Sequence, residues 1–461
     1  MKRILLICAA IAALTLAATY CTPDNQDPQE EEPSEVILEN PVPVTIDVEI
    51  LNDWVFDKRP VFPLHITNPN NVKFKQVFKI KYYTDKNNTT IPALAEEREI
   101  EIPAEGFDMQ VSTQQDLDPG FYKVYISIGR MVRTFTFGIN PTEIVSAPDK
   151  QSDFNKFWQD AKTQLDAIEM DAQLTEITSR SSATRKVYLV ELKSIPDGPE
   201  GEPVTVRGYY IEPQDDKKHP VLLHFYGYDV QKPTTMVDCP YGGNSDYAEF
   251  YFSTRGQMLN NRNADKRVPD GKGDFVNTYG DWFAFNFGQR DAYYYRGAFM
   301  DCVQAIRFMA AQPTSDMNNL FAEGSSQGGA LSYAAAALSD YPFTAIAPAV
   351  AFLGDFPDYF QIVGWPANTA KKNRGSMTDE EMYAFLSYFD TKNLVTLFSP
   401  QTAVIACIGL QDETCPPHTN IAPYNNLPGS DKEIYYYPKL GHEIPNGWYN
   451  KYGNFFKARM K

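Results

Sequence analysis

The chain has 461 residues, 43% hydrophobic and 13% aromatic, which is enough for two packed units behind a leader. Its formal charge of −17 argues against a nucleic-acid partner, because phosphate binding needs clustered Lys and Arg. Such a surface suits a globular body acting on a neutral substrate.

Residues 1–21, MKRILLICAAIAALTLAATYC, place two cations ahead of an apolar run that ends at a cysteine. That order is an export signal. It resembles a bacterial lipoprotein signal, with Cys21 as the lipidated N-terminus, although Tyr20 stands where a small residue is usual. Cleavage after Thr19 is the alternative. Lipidation implies anchorage to the outer membrane or cell surface of a Gram-negative bacterium; plain cleavage implies a periplasmic protein. The only membrane contact expected is this anchor. Residues 22–42 are acidic and Pro-rich, bury too little apolar area to offset chain entropy, and are expected to be a disordered tether.

From residue 43 onward short alternating stretches (VTIDVEIL, VFKIKYY, REIEIPA, FYKVYISI, RTFTFGI) are separated by turn-rich pieces. Period-two alternation of this kind predicts a small antiparallel β-sandwich over 43–145. Its aromatics, Trp54, Tyr82, Tyr83, Phe121 and Tyr122, either fill its own core or stack on sugars.

The rhythm changes at about 146. Phe154, Phe157, Trp158, Ala161 and Leu165 fall at helical spacing behind Ser152, a candidate N-cap. Beyond it, continuous apolar runs (VLLHFYG, NLFAEG, TAVIACIGL) alternate with helix candidates, one of which, starting near Tyr295, sets Phe299, Cys302, Val303, Ile306 and Ala310 along one face. A mainly parallel sheet covered on both sides, an α/β unit over 146–461, is the expectation. Of the six cysteines, Cys239, Cys302, Cys407 and Cys415 lie in the two globular units and show neither metal spacing nor a disulfide framework. They read as buried thiols, with a Cys407–Cys415 pairing left open.

Residues 324–328 read Gly-Ser-Ser-Gln-Gly, with Ser326 at the centre, between a strand and a helix candidate. A nucleophile on a sharp strand-to-helix turn needs small neighbours two positions away on both sides, and the helix start offers free N–H groups to an oxyanion. Ser325 is in the wrong register. The base must come from five histidines. His65 belongs to the sandwich, His219 to a polar loop, and His224 to the inside of a strand; His418 is a weaker candidate. His442, in a loop after a β-like run near the C-terminus, fits the order Ser, acid, His. Asp412, directly after an apolar strand, is the matching acid, with Glu413 as its alternative. Glu443 is expected to brace the His442 loop, and Asp355 and Asp358 to mark a cap or helix start.

Further stretches occur in a fixed order: FSTRGQ, YYYRGAFMDCVQAI, GSSQGGA, LSYFD, IGLQDETCPPHT and GHE. Together they resemble the acetyl xylan esterase/cephalosporin C deacetylase family, carbohydrate esterase family seven, along nearly all of the α/β unit and none of 1–145. The resemblance implies an α/β-hydrolase fold with Ser326 as nucleophile, Asp412 as acid and His442 as base. It implies an oxyanion hole from the backbone N–H groups of Gln327 and Tyr228, with Arg255 and Gln257 as structural support. No metal or organic cofactor is implied. The family's hexameric ring makes a homo-oligomer a further expectation, with the sandwich either blocking that packing or decorating its outside. Two stretches depart from the pattern: the residues after Gln257, and AFLGDF in place of Pro-Phe-Leu. The expected activity is removal of O-acetyl groups from acetylated xylo-oligosaccharides or similar small sugars. The alternatives are a serine peptidase of the prolyl oligopeptidase type and a non-catalytic glycan-binding surface lipoprotein.

Overall fold

The structure, a computed structural model, describes residues 38, 40–228, 237–259 and 278–461. The export signal with Cys21, most of the tether, and the divergent stretch from 260 on lie outside the described residues.

Eight strands come first: β1 (Thr45–Val48), β2 (Val55–Phe56), β3 (Val61–Thr67), β4 (Phe74–Thr84), β5 (Glu96–Ile102), β6 (Phe107–Ser112), β7 (Gly120–Ile128) and β8 (Met131–Ile139). They form two sheets, β1-β3-β6 and β2-β8-β7-β4-β5, antiparallel except for the short β2·β8 pairing. Alternation drives this arrangement, since every second side chain of β3 is buried. Phe62, Phe78 and Phe137 are fully enclosed between the sheets. Trp54, Tyr82 and Phe121 are buried in the same core, and Tyr122 stacks on Phe137 at 5.7 Å. Most of the aromatics that sequence offered to sugars therefore pack the sandwich itself.

The remaining elements are α1 (Phe154–Asp166), β9 (Gln173–Glu176), β10 (Arg185–Ser194), β11 (Val204–Pro213), β12 (His219–Phe225), β13 (Ala248–Ser253), α2 (Tyr294–Ala310), β14 (Ser315–Ser325), α3 (Gln327–Leu338), β15 (Ala345–Ala349), α4 (Phe356–Ile362), α5 (Ala367–Asn373), α6 (Asp379–Leu386), α7 (Thr391–Leu394), β16 (Ala403–Gly409), α8 (Pro417–Asn425), β17 (Lys432–Tyr437) and α9 (Trp448–Lys457). One nine-stranded sheet runs β17-β16-β15-β14-β12-β13-β11-β10-β9. It is parallel from β13 to β17 and antiparallel from β9 to β13, an α/β-hydrolase fold.

The parallel half fixes where the chemistry can lie. Ser325, Ala349, Cys407 and Tyr435 stand in one row across β14, β15, β16 and β17. The turns that follow these strands therefore emerge at one carboxyl edge, where ligands of open α/β sheets bind.

Three local expectations are corrected. Asp153, not Ser152, precedes α1, and it caps nothing, because its carboxylate is taken by Arg290 at 2.9 Å and by the Tyr388 hydroxyl. Helix α2 is buried nearly all round instead of along one face, since it is wedged against α1, α3 and β10. His219 opens β12 instead of lying in a loop.

Candidate active site

Ser326 sits between β14 and α3 with φ 56° and ψ −121°, a left-handed conformation that few non-glycine residues adopt. The strain is held from several directions. The Ser326 N–H donates to the Ala349 carbonyl at 2.9 Å, and its own carbonyl accepts from Phe352 and Gly329, each at 3.0 Å. A Cβ on Gly324 would overlap the Gly328 backbone, and one on Gly328 would overlap the Phe225 carbonyl. The two glycines thus let the turn close on itself and press against the loop after β12.

His442 Nε2 lies 2.9 Å from Ser326 Oγ, and His442 Nδ1 lies 2.7 Å from Asp412 Oδ2. The Asp412 carboxylate has no solvent exposure. Its other oxygen accepts from the Thr414 and Cys415 N–H groups, both at 2.8 Å. This Asx-type turn leaves one oxygen facing the imidazole and fixes its direction. The structure thus brings together Ser326, Asp412 and His442, which lie up to 116 residues apart in the chain. A serine hydroxyl, an imidazole and a buried carboxylate in line form the constellation that lets a hydroxyl lose its proton as it attacks a carbonyl.

Gln327 opens α3, where the first N–H groups have no acceptor within their own helix. Its side-chain carbonyl accepts from the Tyr295 hydroxyl at 2.9 Å. Tyr228 follows the β12 loop that packs on Gly328. Its phenol donates to Asp281 at 2.5 Å and accepts from the Phe283 N–H at 3.3 Å. Burial first, and then Asp281, push that phenol above its ordinary range, so it stays protonated.

Arg255 and Gln257 support this edge from behind. The Arg255 guanidinium is buried against Asp301, at 2.7 and 2.9 Å, and reaches Asp197 at 2.8 Å. The nearby carboxylates outweigh burial and hold its proton more firmly than usual. Gln257 donates to the Gly227 carbonyl at 3.0 Å. Glu443 does not do what sequence assigned to it: it is exposed, and its side chain makes no hydrogen bond or ion pair among the described residues. The His442 loop is held instead by backbone bonds, Gln411 N–H to Leu440 and Leu410 N–H to Tyr437, at 2.9 and 3.0 Å.

The remaining histidines are placed elsewhere. His65 pairs with Asp108 on the sandwich surface at 2.6 Å. His224 is packed between Glu323 and Glu249, at 2.7 and 3.5 Å. His418 Nε2 lies 2.9 Å from both Asp355 and Asp358. These three groups have the spacing of a metal site. The cluster carries its own cations, however: Lys392 reaches Asp355 at 2.9 Å and Lys86 reaches Asp358. All four described cysteines are buried, and Cys407 and Cys415 do not pair with each other.

Sequence reading missed the aromatic wall beside the serine. Phe352 and Trp365 stack at 5.2 Å, and Tyr228 meets Trp365 at 5.4 Å and Trp282 at 5.1 Å. Only the AFLGDF departure hinted at it. Gln411, which bonds to Thr136 of the sandwich, was also missed.

A family model described as acetyl xylan esterase (AXE1) matches residues 142–460. Acetyl esterase Axe7A of Xylanibacter ruminicola is 23% identical over 312 residues, 67% of each protein. Among solved structures, an acetyl xylan esterase from Paenibacillus sp. R4 is 26% identical with a TM-score of 0.56, covering 69% of this chain and 98% of that one. Acetyl xylan esterase 1 from Thermoanaerobacterium sp. JW/SL YS485 has the same fold, with a TM-score of 0.56 at 23% identity over 70% of this chain and 98% of its own. With the family model matched from just past β8 to the penultimate residue, this chain belongs to the acetyl xylan esterase family and is a hydrolase of the carbohydrate acetylesterase class.

Proposed function

We propose that the protein is a serine esterase that removes O-acetyl groups from acetylated xylo-oligosaccharides or similar small acetylated sugars through an acetyl-enzyme on Ser326. The observation that carries this reading is the unbroken hydrogen-bonded line from Asp412 through His442 to Ser326. His442 Nε2 takes the hydroxyl proton as Ser326 Oγ bonds to the acetyl carbon, and the carbonyl oxygen becomes an oxyanion. The N–H groups of Gln327 and Tyr228 receive that charge, each lowering the barrier by on the order of 3 kcal/mol. Collapse breaks the bond to the sugar oxygen, which leaves with the proton from His442. Water, deprotonated in turn by His442, then releases acetate and restores Ser326. Asp412 keeps Nδ1 protonated and stabilises the imidazolium.

The aromatic wall around Trp365 suits the methyl of an acetyl group and the flat face of a sugar ring. The family match, and the acetyl esterase names of its relatives, support the acetyl group as the cleaved acyl. The leader supports export with anchorage at Cys21, which Cys21→Ser in the full-length chain tests by release from the membrane fraction.

The decisive experiment is Ser326→Ala with 4-nitrophenyl acetate and acetylated xylo-oligosaccharides. The expected loss is at least about 10⁴-fold in kcat. Undiminished acetate release sinks the assignment. A peptide amide run beside the acetyl esters separates the peptidase alternative, which requires amide cleavage.

A further inference from the structure

Among the described residues, the Gln411 side chain hydrogen-bonds the amino-terminal sandwich to the turn that carries Asp412. The Gln411 carboxamide accepts from the Thr136 N–H at 2.8 Å and donates to the Thr136 carbonyl at 3.0 Å. Thr136 lies in β8, whose neighbour β2 pairs only with Gly138 and Ile139. Gln411 therefore extends the sheet where β2 stops, presenting a side-chain amide in the place of a strand's peptide group. The same nitrogen also donates to the Pro438 carbonyl at 2.6 Å. One carboxamide thus joins the sandwich, the turn bearing Asp412 and the loop leading to His442.

We infer that the sandwich is a working part of the esterase, and that Gln411 is a positioning residue through which β8 sets the geometry of Asp412 against His442. This rests on the reading of Ser326, Asp412 and His442 given above. Gln411 adjoins Asp412, so any shift of its backbone is passed directly to the carboxylate. An in-line hydrogen-bonded set tolerates little displacement: a misplacement of about 1 Å can cost on the order of 10²-fold in rate. Thr136 is itself buried, so without Gln411 its N–H and carbonyl would be left without partners, a penalty that keeps the clamp closed.

Other contacts tie the sandwich to the α/β unit at a distance from this turn. Asn87 donates to Gln361 of α4 at 3.2 Å, and Asn425 of α8 donates to the carbonyls of Pro141 and Ile144 at 3.0 and 2.9 Å. They provide a control, because they hold the two parts together without touching the Asp412 or His442 loops.

The test compares full-length Gln411→Met, Asn87→Ala and Ser326→Ala with the parent on 4-nitrophenyl acetate, below the unfolding temperature of each. Methionine keeps the length of glutamine and removes the donors and the acceptor. The expected result is a fall of about 10- to 100-fold in kcat for Gln411→Met, KM within about threefold of the parent, and Asn87→Ala unchanged. If Gln411→Met does not fold, Gln411→Glu, which keeps the acceptor for Thr136 and loses both donors, is read in the same way. A kcat within twofold of the parent overturns the inference. So does an equal loss in Asn87→Ala, which would reduce the sandwich to general support. Activity surviving in Ser326→Ala instead overturns the catalytic reading itself, so the two failures are distinguishable.

Discussion

Gln257 donates to the carbonyl of Gly227 at 3.0 Å, one residue before Tyr228. Gln257 is almost fully buried, so this bond is made in a low dielectric and fixes the peptide unit that leads into Tyr228. The Tyr228 N–H, proposed above as an oxyanion donor, serves that role only if it already points at the place where charge develops.

Gln257→Leu is therefore expected to lower kcat by about 10- to 100-fold, less than removing a donor outright, for which about 10²- to 10³-fold is usual. Acetate binding as a product inhibitor should hardly change. Steady-state kinetics on an acetyl ester check this; an unaltered kcat would mean that the Tyr228 loop holds its shape unaided.

A second prediction concerns stability. Arg255 packs so closely on α2 that a Cβ on Gly297 would overlap its guanidinium, and its partner Asp301 is fully buried. Asp301→Asn leaves a buried cation short of its counter-charge, at a cost of about 3–5 kcal/mol. Gly297→Ala should destabilise by a comparable route, driving the guanidinium off Asp301. Urea unfolding followed by circular dichroism measures both, and midpoints equal to the parent's would contradict this account.

The elbow and its partners were legible in sequence because each rests on local chemistry. Gly324 and Gly328 are demanded by one turn, and His442 is picked out by chain order among few histidines. The alternation of 43–145 and the continuous runs of VLLHFYG and TAVIACIGL likewise carried the two layer types. What stayed hidden depends on contacts between distant segments. Gln411 meets a backbone 275 residues away, which no side-chain pattern reports. Helix α2 lost its one-sided periodicity because three neighbours enclose it, and Glu443 was credited with a contact from its adjacency to His442 alone.

A third prediction separates the two nucleophile types at the site. Cys415 donates its N–H to Asp412, and burial pushes its thiol far above the ordinary range, so it carries no thiolate at neutral pH. The described cysteines are all buried. Iodoacetamide at pH 7 should leave acetyl-ester hydrolysis intact, whereas a fluorophosphonate should abolish it by reacting with Ser326. Inactivation by the thiol reagent in the folded state would reverse the assignment.

The last prediction is the pH dependence of stability. His418 lies between Asp355, Asp358 and, at 3.8 Å, Asp85 of the sandwich, with Lys86 and Lys392 on the far sides of those carboxylates. Burial alone would lower its pKa, but the hydrogen bonds and the negative charges outweigh burial and hold it up to about 9. His224, between Glu249 and Glu323, is likewise held up to about 9 against burial. A histidine whose folded pKa exceeds its unfolded value of about 6.5 contributes stability that is complete below pH ~6.5 and is lost as the pH rises through the folded value. Asp355 and Asp358 are held low by the same contacts and stay ionised throughout this window. Burial raises Asp390, beside Lys392 and Asp355, to about 7; a carboxylate raised in this way costs stability as the pH climbs from its unfolded value to about 7, so most of its effect lies below this window. Each histidine is therefore worth up to about 3 kcal/mol between pH 6.5 and 9, with the native protein weakening toward alkaline pH. The urea midpoint should fall across that interval. His418→Gln should lower it at pH 6.5 and leave it much closer to the parent's at pH 9, because by then the parent has lost most of what the imidazolium supplied. A constant gap between the two proteins at both pH values would show that His418 acts by packing and not by charge.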